Sequence, residues 1–348
     1  MDTLKQEPSR SAKPAAIDLF SGCGGLTLGL KRAGFEVVAA VEVDERAKQT
    51  YAANHRSVRL YHTDIRELSA RKVMADLGLK RGDLGLLAGC PPCQGFSRMR
   101  TRNGERAARV PRNALIDDFR RFVSELLPKT VMLENVPGLA RHQRFLALRR
   151  ELKRLGYEDF VDELDSADFG VPQRRRRLIL LASRVHSPLP AEPNDRRMTV
   201  RQAFAQLALP SSKRDHLHCI AENRSETVRK IISHIPKDGG SRSSLPVELR
   251  LGCHAVTNGF HDVYGRMRWD DVAPTITGGC SNPSKGRFLH PSEDRNITLR
   301  EAAVLQGFPR SYRFLTEHGK EAIALMIGNA LPPPFIAAHA KCLRLGIG

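Results

Sequence analysis

Apolar residues in this chain fall in short blocks that follow two different rhythms. Residues 15–20, 36–43, 58–61, 83–88, 130–133 and 178–182 are compact runs rich in Ile, Val, Leu and Ala, and they read as strands. Between them, residues 26–33, 45–54, 113–127 and 144–155 space their apolar positions along one face of a helix. Strand–helix alternation of this kind predicts an α/β fold with a Rossmann-like, doubly wound, mixed and mostly parallel sheet. After Ser183 the rhythm stops. Pro188, Pro190, Pro193 and Pro210 break the segment, and regular alternation does not return before Thr298. Thr298-Leu299-Arg300-Glu301 then has the Ser/Thr-x-x-Glu form that opens a helix. Residues 321–345 follow, with Gly328-Asn329 and a Pro332-Pro333-Pro334 helix start. The expected organisation is a flexible tail at 1–14, a main domain at 15–184, a smaller irregular domain at 185–297, and a segment at 298–348 that returns to the main domain.

Charge narrows the choice of partner. The 348 residues carry 56 Lys+Arg against 38 Asp+Glu, a net +18, which points to a polyanion and most simply to nucleic acid. Charge alone would serve RNA, DNA or an acidic membrane surface equally. No apolar run approaches the roughly 18 residues of a membrane span, and residues 1–14 lack an apolar signal core, so the expected location is cytoplasmic. Seven cysteines without a regular framework fit a reducing compartment.

Three stretches carry candidate chemistry. Asp18-Leu19-Phe20-Ser21-Gly22-Cys23-Gly24-Gly25-Leu26 follows the first strand and opens a helix, where glycines let backbone approach a ligand. Glu42 ends the next strand roughly 20 residues on, where an acid can bind ribose hydroxyls. An ordinary Gly-rich turn and a dinucleotide loop remain alternatives here, although Gly-x-Gly-x-x-Gly does not occur. Gly89-Cys90-Pro91-Pro92-Cys93-Gln94-Gly95-Phe96-Ser97 follows a buried strand and holds the Cys93 thiol on a proline-stiffened loop at a sheet edge. Glu134-Asn135-Val136 ends another strand and brings a carboxyl group to that same edge. Cys90 and Cys93 also form Cys-x-x-Cys, a redox pair or half of a zinc site. No second such pair exists, and His216, His218, Cys219, Cys253 and His254 match no standard zinc spacing, so no metal ligand is assigned.

These elements resemble, in order, the motifs of the DNA (cytosine-5) methyltransferase family of the bacterial restriction-modification type. The Pro92-Cys93-Gln94 element is similar to the family's nucleophile loop, and Glu134-Asn135-Val136 to its Glu-Asn-Val element. Gln173-Arg174-Arg175-Arg176-Arg177 resembles Gln-x-Arg-x-Arg. Arg300-Glu301 with Leu305-Gln306-Gly307-Phe308-Pro309 resembles the ninth motif, and Gly328-Asn329-Ala330-Leu331-Pro332-Pro333 the tenth.

The resemblance implies S-adenosyl-L-methionine as cofactor, held by Phe20, Gly22, Gly24, Leu26, Glu42, Val43, Asp64, Ile65, Asn329 and Ala330. In many members an aromatic follows the ribose acid; here it is Val43. It further implies Cys93 as the nucleophile on carbon 6 of a flipped-out cytosine, Glu134 at ring nitrogen 3, Arg177 on the base and Arg175 in support, with Cys90 a small neutral loop filler. Residues 185–297 become the target-recognition domain, whose cations meet double-stranded DNA; Arg266-x-Arg268-Trp269 shapes its scaffold. Functional pairing with a restriction endonuclease and a monomeric state complete the expectation. Two rivals are a transfer-RNA branch, whose Cys-Phe-Thr element is absent, and a catalytically silent DNA-binding regulator.

Overall fold

The computed structural model describes residues 13–92, 114–205, 207–208, 210, 215–220, 222–250 and 262–347. Seven strands, β1 (Ala15–Leu19), β2 (Glu36–Glu42), β3 (Arg59–His62), β4 (Leu86–Gly89), β5 (Thr130–Asn135), β6 (Glu158–Asp165) and β7 (Arg176–Ser183), form one sheet. Their order is β3-β2-β1-β4-β5-β7-β6. The first five run parallel, and β7 pairs antiparallel with both β5 and β6.

Alternation along the strands separates two cores. Ile17, Leu19, Ala39 and Val41 face one side, under α3 (Ala70–Leu77), α4 (Leu115–Leu126) and α5 (Gln143–Arg154). Ala16 and Ala40 face the other, under α1 (Gly25–Arg32) and the last helix, α10 (Pro333–Leu345). The crossing of α1 and α10 is close because Gly29 carries no side chain; a Cβ there would lie 2.6 Å from Ile336 Cβ. The end of the chain thus packs on the helix that opens the glycine-rich loop.

Helix starts follow local chemistry. Asp44 accepts from Ala47 N–H at the start of α2 (Glu45–Asn54), and Thr298 and Glu301 form a reciprocal capping box at the start of α8 (Leu299–Leu305). Before residue 184, one helix and one strand lie outside the sequence expectations. Helix α3 has apolar residues at 70, 73, 74 and 77, a spacing that signals a helix. Strand β6 is acid-rich and half-exposed at the sheet's edge, so its apolar rhythm is weak, and full-length pairing with β7 defines it. The expected strand at 83–88 begins only at Leu86, because Asp83 closes a turn onto Lys80 O.

Between α6 (Val200–Phe204) and α8, the described residues hold one further helix, α7 (Glu226–His234), short 3-10 turns and isolated bridges. Arg266 organises this region. It is fully buried and donates to Ile232 O, Ile235 O, His290 O, Glu293 O and Asp294 Oδ1, so it closes the end of α7 and two loops together. Residues 320–345 have the length and composition of a membrane span, contrary to the expectation of no such run. They form two helices, α9 (Lys320–Asn329) and α10, parted at Ala330–Pro332 and mostly buried in the protein.

Beneath the glycine-rich loop, Asp18 is fully buried; Thr27 Oγ1 donates to its Oδ2 at 2.6 Å and lies 2.8 Å from Tyr51 Oη. Burial pushes the Asp18 carboxyl up from 3.8 to about 8, against the opposing hydrogen bonds from Thr27.

Two predictions follow from these buried groups. Arg266→Leu leaves four carbonyls without this donor and Asp294 paired with Lys237 alone, and the expected loss is about 3–5 kcal/mol in denaturant unfolding; an unchanged midpoint would remove Arg266 as the organising group. For Asp18, the folded chain keeps a proton that the unfolded chain releases, so stability falls as pH rises from about 4 to about 8. Asp18→Asn should flatten that fall, and equal pH slopes for the variant and the parent would refute it.

Candidate active site

Register gathers the candidate residues. Leu19 pairs with Gly89 and Gly89 with Leu133, so the loops after β1, β4 and β5 leave from one row at the carboxyl edge of the sheet. Strand β7 enters antiparallel, with Leu178 opposite Asn135, which brings Arg177 and Arg175 in at that same edge.

Glu134 is 2% exposed. Its Oε2 accepts from Cys90 Sγ at 3.2 Å. Its Oε1 lies 3.1 Å from Arg177 Nε as an ion pair, yet without hydrogen-bond alignment, and is a buried oxygen with no hydrogen-bond partner. Cys90 is therefore more than a loop filler. Burial and the neighbouring Glu134 push its thiol well up, so it stays protonated and donates. Asn135 Nδ2 donates to Pro91 O at 2.9 Å, tying β5 to the loop that leads to Cys93. Cys93 itself lies outside the described residues.

The arginine run alternates. Arg174 and Arg176 pair outward with Asp271 and Glu163. Arg177 is half-buried beside Glu134, and its Nη1 donates to Arg176 O at 2.7 Å. Arg175 is buried and donates to Ile276 O, Gly328 O and Ala330 O at 3.2–3.3 Å, so it holds backbone from two distant segments. Burial and the nearby Arg177 lower it to about 9.

In the glycine-rich loop, each glycine answers a different need. Gly22 (φ +53°) has open space where a Cβ would stand, and its N–H donates to Glu42 Oε2 at 2.7 Å. Gly24 (φ +98°) is closed in: a Cβ would lie 2.5 Å from His55 Nε2 and 2.6 Å from Tyr312 Oη. A Cβ on Gly25 would lie 2.5 Å from Leu331 O. Of the three, Gly22 alone has open space at its Cβ position. Phe20 turns the chain with φ 65°. Glu42 Oε1 accepts from Val43 N and Asp44 N, and its burial raises its pKa.

The other expected cofactor residues are placed unevenly. Leu26 and Ile65 bury their side chains in the two cores, so they can offer a ligand only backbone. Val43 is 62% exposed. Asp64 is gripped by Arg66, which holds its carboxyl below the usual range. Asn329 is exposed at the end of α9, and Ala330 O accepts from Arg175 and Gln306. Sequence reasoning did not single out His55 or Tyr312 as site residues; each is a lone residue whose partners come from distant segments.

Cations at 185–297 divide by use. Arg197, Arg224, Lys237, Arg250, Arg266 and Arg287 bind carboxylates or backbone carbonyls within the chain. Arg196, Arg229, Lys230, Arg268 and Lys285 are exposed. A cavity of about 230 Å³ lies near α8 and Lys320, away from the sheet edge. Of its lining, His218 is bonded to Thr298 Oγ1 and Ala208 O, and Cys219 to Pro210 O.

Comparison with known proteins agrees with this geometry. Residues 15–344 match the family model described as C-5 cytosine-specific DNA methylase. The type II methylase M.HgiDII of Herpetosiphon aurantiacus is 36% identical over 346 residues, with 95% of each chain covered. The type II methyltransferase M1.HphI of Haemophilus parahaemolyticus is 32% identical, with 94% of this chain and 86% of that protein covered. Among solved structures, one described as a DNA modification methyltransferase encoded within a prophage (E. coli) aligns with a TM-score of 0.68 at 25% identity. That alignment covers 96% of this chain and 99% of that one. With its mixed sheet, its motif order and these matches along nearly its whole length, the chain belongs to the C-5 cytosine-specific DNA methylases, enzymes that methylate DNA at cytosine.

Proposed function

We propose that Cys93, Glu134, Arg177 and Arg175 carry out methylation at carbon 5 of a flipped-out cytosine in double-stranded DNA, with S-adenosyl-L-methionine as the methyl donor. The observation that carries this reading is Glu134 Oε1, a buried carboxyl oxygen lacking a hydrogen-bond partner, beside Arg177 at the edge where the Cys93 loop departs.

Cytosine is a weak nucleophile at carbon 5, and a base inside the duplex hides carbon 6, so the target nucleotide must leave the stack at a cost of a few kcal/mol. Addition of the Cys93 thiolate to carbon 6 forms an S–C bond and turns the ring into an enamine. Glu134 Oε1 shares a proton with ring nitrogen 3 as negative charge builds there, while Arg177 holds oxygen 2. Once carbon 5 carries the methyl group, its proton passes to solvent, the ring double bond is restored, the S–C bond breaks and the thiolate returns. Arg175 acts on backbone, keeping Ile276, Gly328 and Ala330 around the site.

Three observations support the cofactor here: Gly22 has free space at its Cβ position, its N–H donates to Glu42, and Ser21 Oγ is buried without a hydrogen-bond partner. Gly22, Glu42, Phe20 and the Asn329–Ala330 turn would hold it. When bound, S-adenosyl-L-methionine supplies an electrophilic methyl group to carbon 5.

Residues 185–297 serve as the target-recognition domain, with the exposed Arg196, Arg229, Lys230, Arg268 and Lys285 meeting phosphates or base edges. The type II designation of the relatives supports functional pairing with a restriction endonuclease. The full set of catalytic and cofactor motifs within this one sequence supports a monomer, which works on DNA in the cytoplasm.

Bisulfite sequencing of an unmethylated plasmid, incubated with protein and cofactor, should reveal protected cytosines in one short context. Cys93→Ser should abolish turnover while leaving cofactor binding intact. Glu134→Gln should lower kcat by about 10²–10⁴-fold, the range for a positioned acid–base group. Normal turnover in either variant would overturn the role assigned to that residue.

A further inference from the structure

The loop around Gly22 is held in part by residues from far along the chain. Tyr312, 289 residues further along the chain, donates its hydroxyl proton to Cys23 O at 2.5 Å. With that proton committed, the Tyr312 oxygen accepts from His55 Nε2 at 3.0 Å, and the same ring nitrogen faces Gly24 O at 3.2 Å. Both side chains are 4% exposed. Burial, with Lys31 adding to it, lowers the His55 ring to about 4, so the imidazole is neutral and carries its single proton on Nε2.

Gly24 is the hinge of the loop. Its N–H closes the turn onto Ser21 O, its carbonyl starts α1 through Leu28 N–H, and its φ of +98° is one that side chains rarely adopt. The volume where a Cβ would stand is filled by the His55 ring and the Tyr312 hydroxyl. Both clamp residues are themselves anchored. Asn54 Nδ2 donates to Arg313 O and Arg313 N–H donates to Asn54 Oδ1, so the end of α2 and the 312–313 segment are stapled reciprocally. Tyr312 packs against Phe308 and Phe314.

We propose that His55 and Tyr312 are positioning residues for the cofactor: they lock the Cys23–Gly24 hinge, and so set where Ser21 and Gly22 stand above Glu42. The inference rests on the reading that Gly22 and Glu42 face S-adenosyl-L-methionine. Neither clamp residue touches the ligand in this account; each acts through the loop backbone.

Calorimetric titration of the full chain with S-adenosyl-L-methionine tests it, alongside duplex binding without cofactor and thermal unfolding. Tyr312→Phe and His55→Leu should each raise the cofactor Kd about tenfold, a loss of about 1.4 kcal/mol. They should raise the cofactor KM in step, while kcat at saturation and duplex affinity stay within about twofold. His55→Gln, which keeps a side-chain N–H donor, should recover most of the affinity. Gly22→Asn, whose side chain fills the open face and tolerates the φ of +53°, tests the underlying reading separately and should abolish cofactor binding. If Gly22→Asn bound cofactor normally, that underlying reading would fall. If Gly22→Asn lost binding while Tyr312→Phe and His55→Leu kept the parent Kd, the positioning role alone would fall. Equal losses of cofactor and duplex binding with a lower melting temperature would also overturn it, in favour of general scaffolding.

Discussion

Parallel pairing that sets Leu19, Gly89 and Leu133, at or near the carboxyl ends of β1, β4 and β5, in one row is the constraint on which the site depends. Leu19, Gly89 and Leu133 lie side by side, so three loops with unrelated sequences must leave the sheet together. Antiparallel entry of β7 then delivers Arg175 and Arg177 to the same place from the opposite direction. A one-residue slip in β5 would turn Glu134 to the other face of the sheet, because successive side chains alternate. Burial on both faces by Ile, Leu, Val and Phe holds the register, so catalytic geometry is secured by apolar packing remote from the chemistry.

A second set of contacts joins the distant parts of the chain around that edge. Gln173 is fully buried; its Oε1 accepts from Ile276 N–H, and its Nε2 donates to Leu305 O and Gln306 Oε1. Gln306 donates in turn to Ala330 O, which Arg175 also holds. Segments near 173, 276, 305 and 330 are therefore connected by amide and guanidinium groups in a dry interior. Each such bond contributes about 1 kcal/mol, and leaving a buried partner unmet costs about 1–3 kcal/mol. That asymmetry makes the junction specific: other packings of these segments would bury unpaired carbonyls.

Net charge needs the same care. The excess of cations reads as a surface for DNA, yet Arg266, Arg287 and Arg224 spend their donors on internal carbonyls and acids. A guanidinium with five donors can bridge loops that have no ladder to hold them, and the region between α6 and α8 is built this way. Its long-range field still contributes to attraction for a polyanion, but base and phosphate contacts fall to the exposed cations.

The α/β architecture, most strand and helix positions, and the candidate chemistry were legible in the sequence, because apolar period and turn chemistry are local properties. Thr298 and Glu301 form their box as the spacing predicts, and Glu134 lies at the sheet edge as a strand-terminal acid should. Strand β6 was not legible, since an acid-rich edge strand is defined by its partner. Nor was the sorting of glycines: Gly22, Gly24 and Gly25 look alike in sequence, and only the neighbours brought in by folding distinguish an open face from a filled one. Cys90, His55 and Tyr312 show the same limit, because a lone side chain has no pattern of its own. The sequence by itself determined which residues could do the chemistry; tertiary structure decided which of them meet, because contacts between residues hundreds of positions apart depend on register and packing rather than on local propensity.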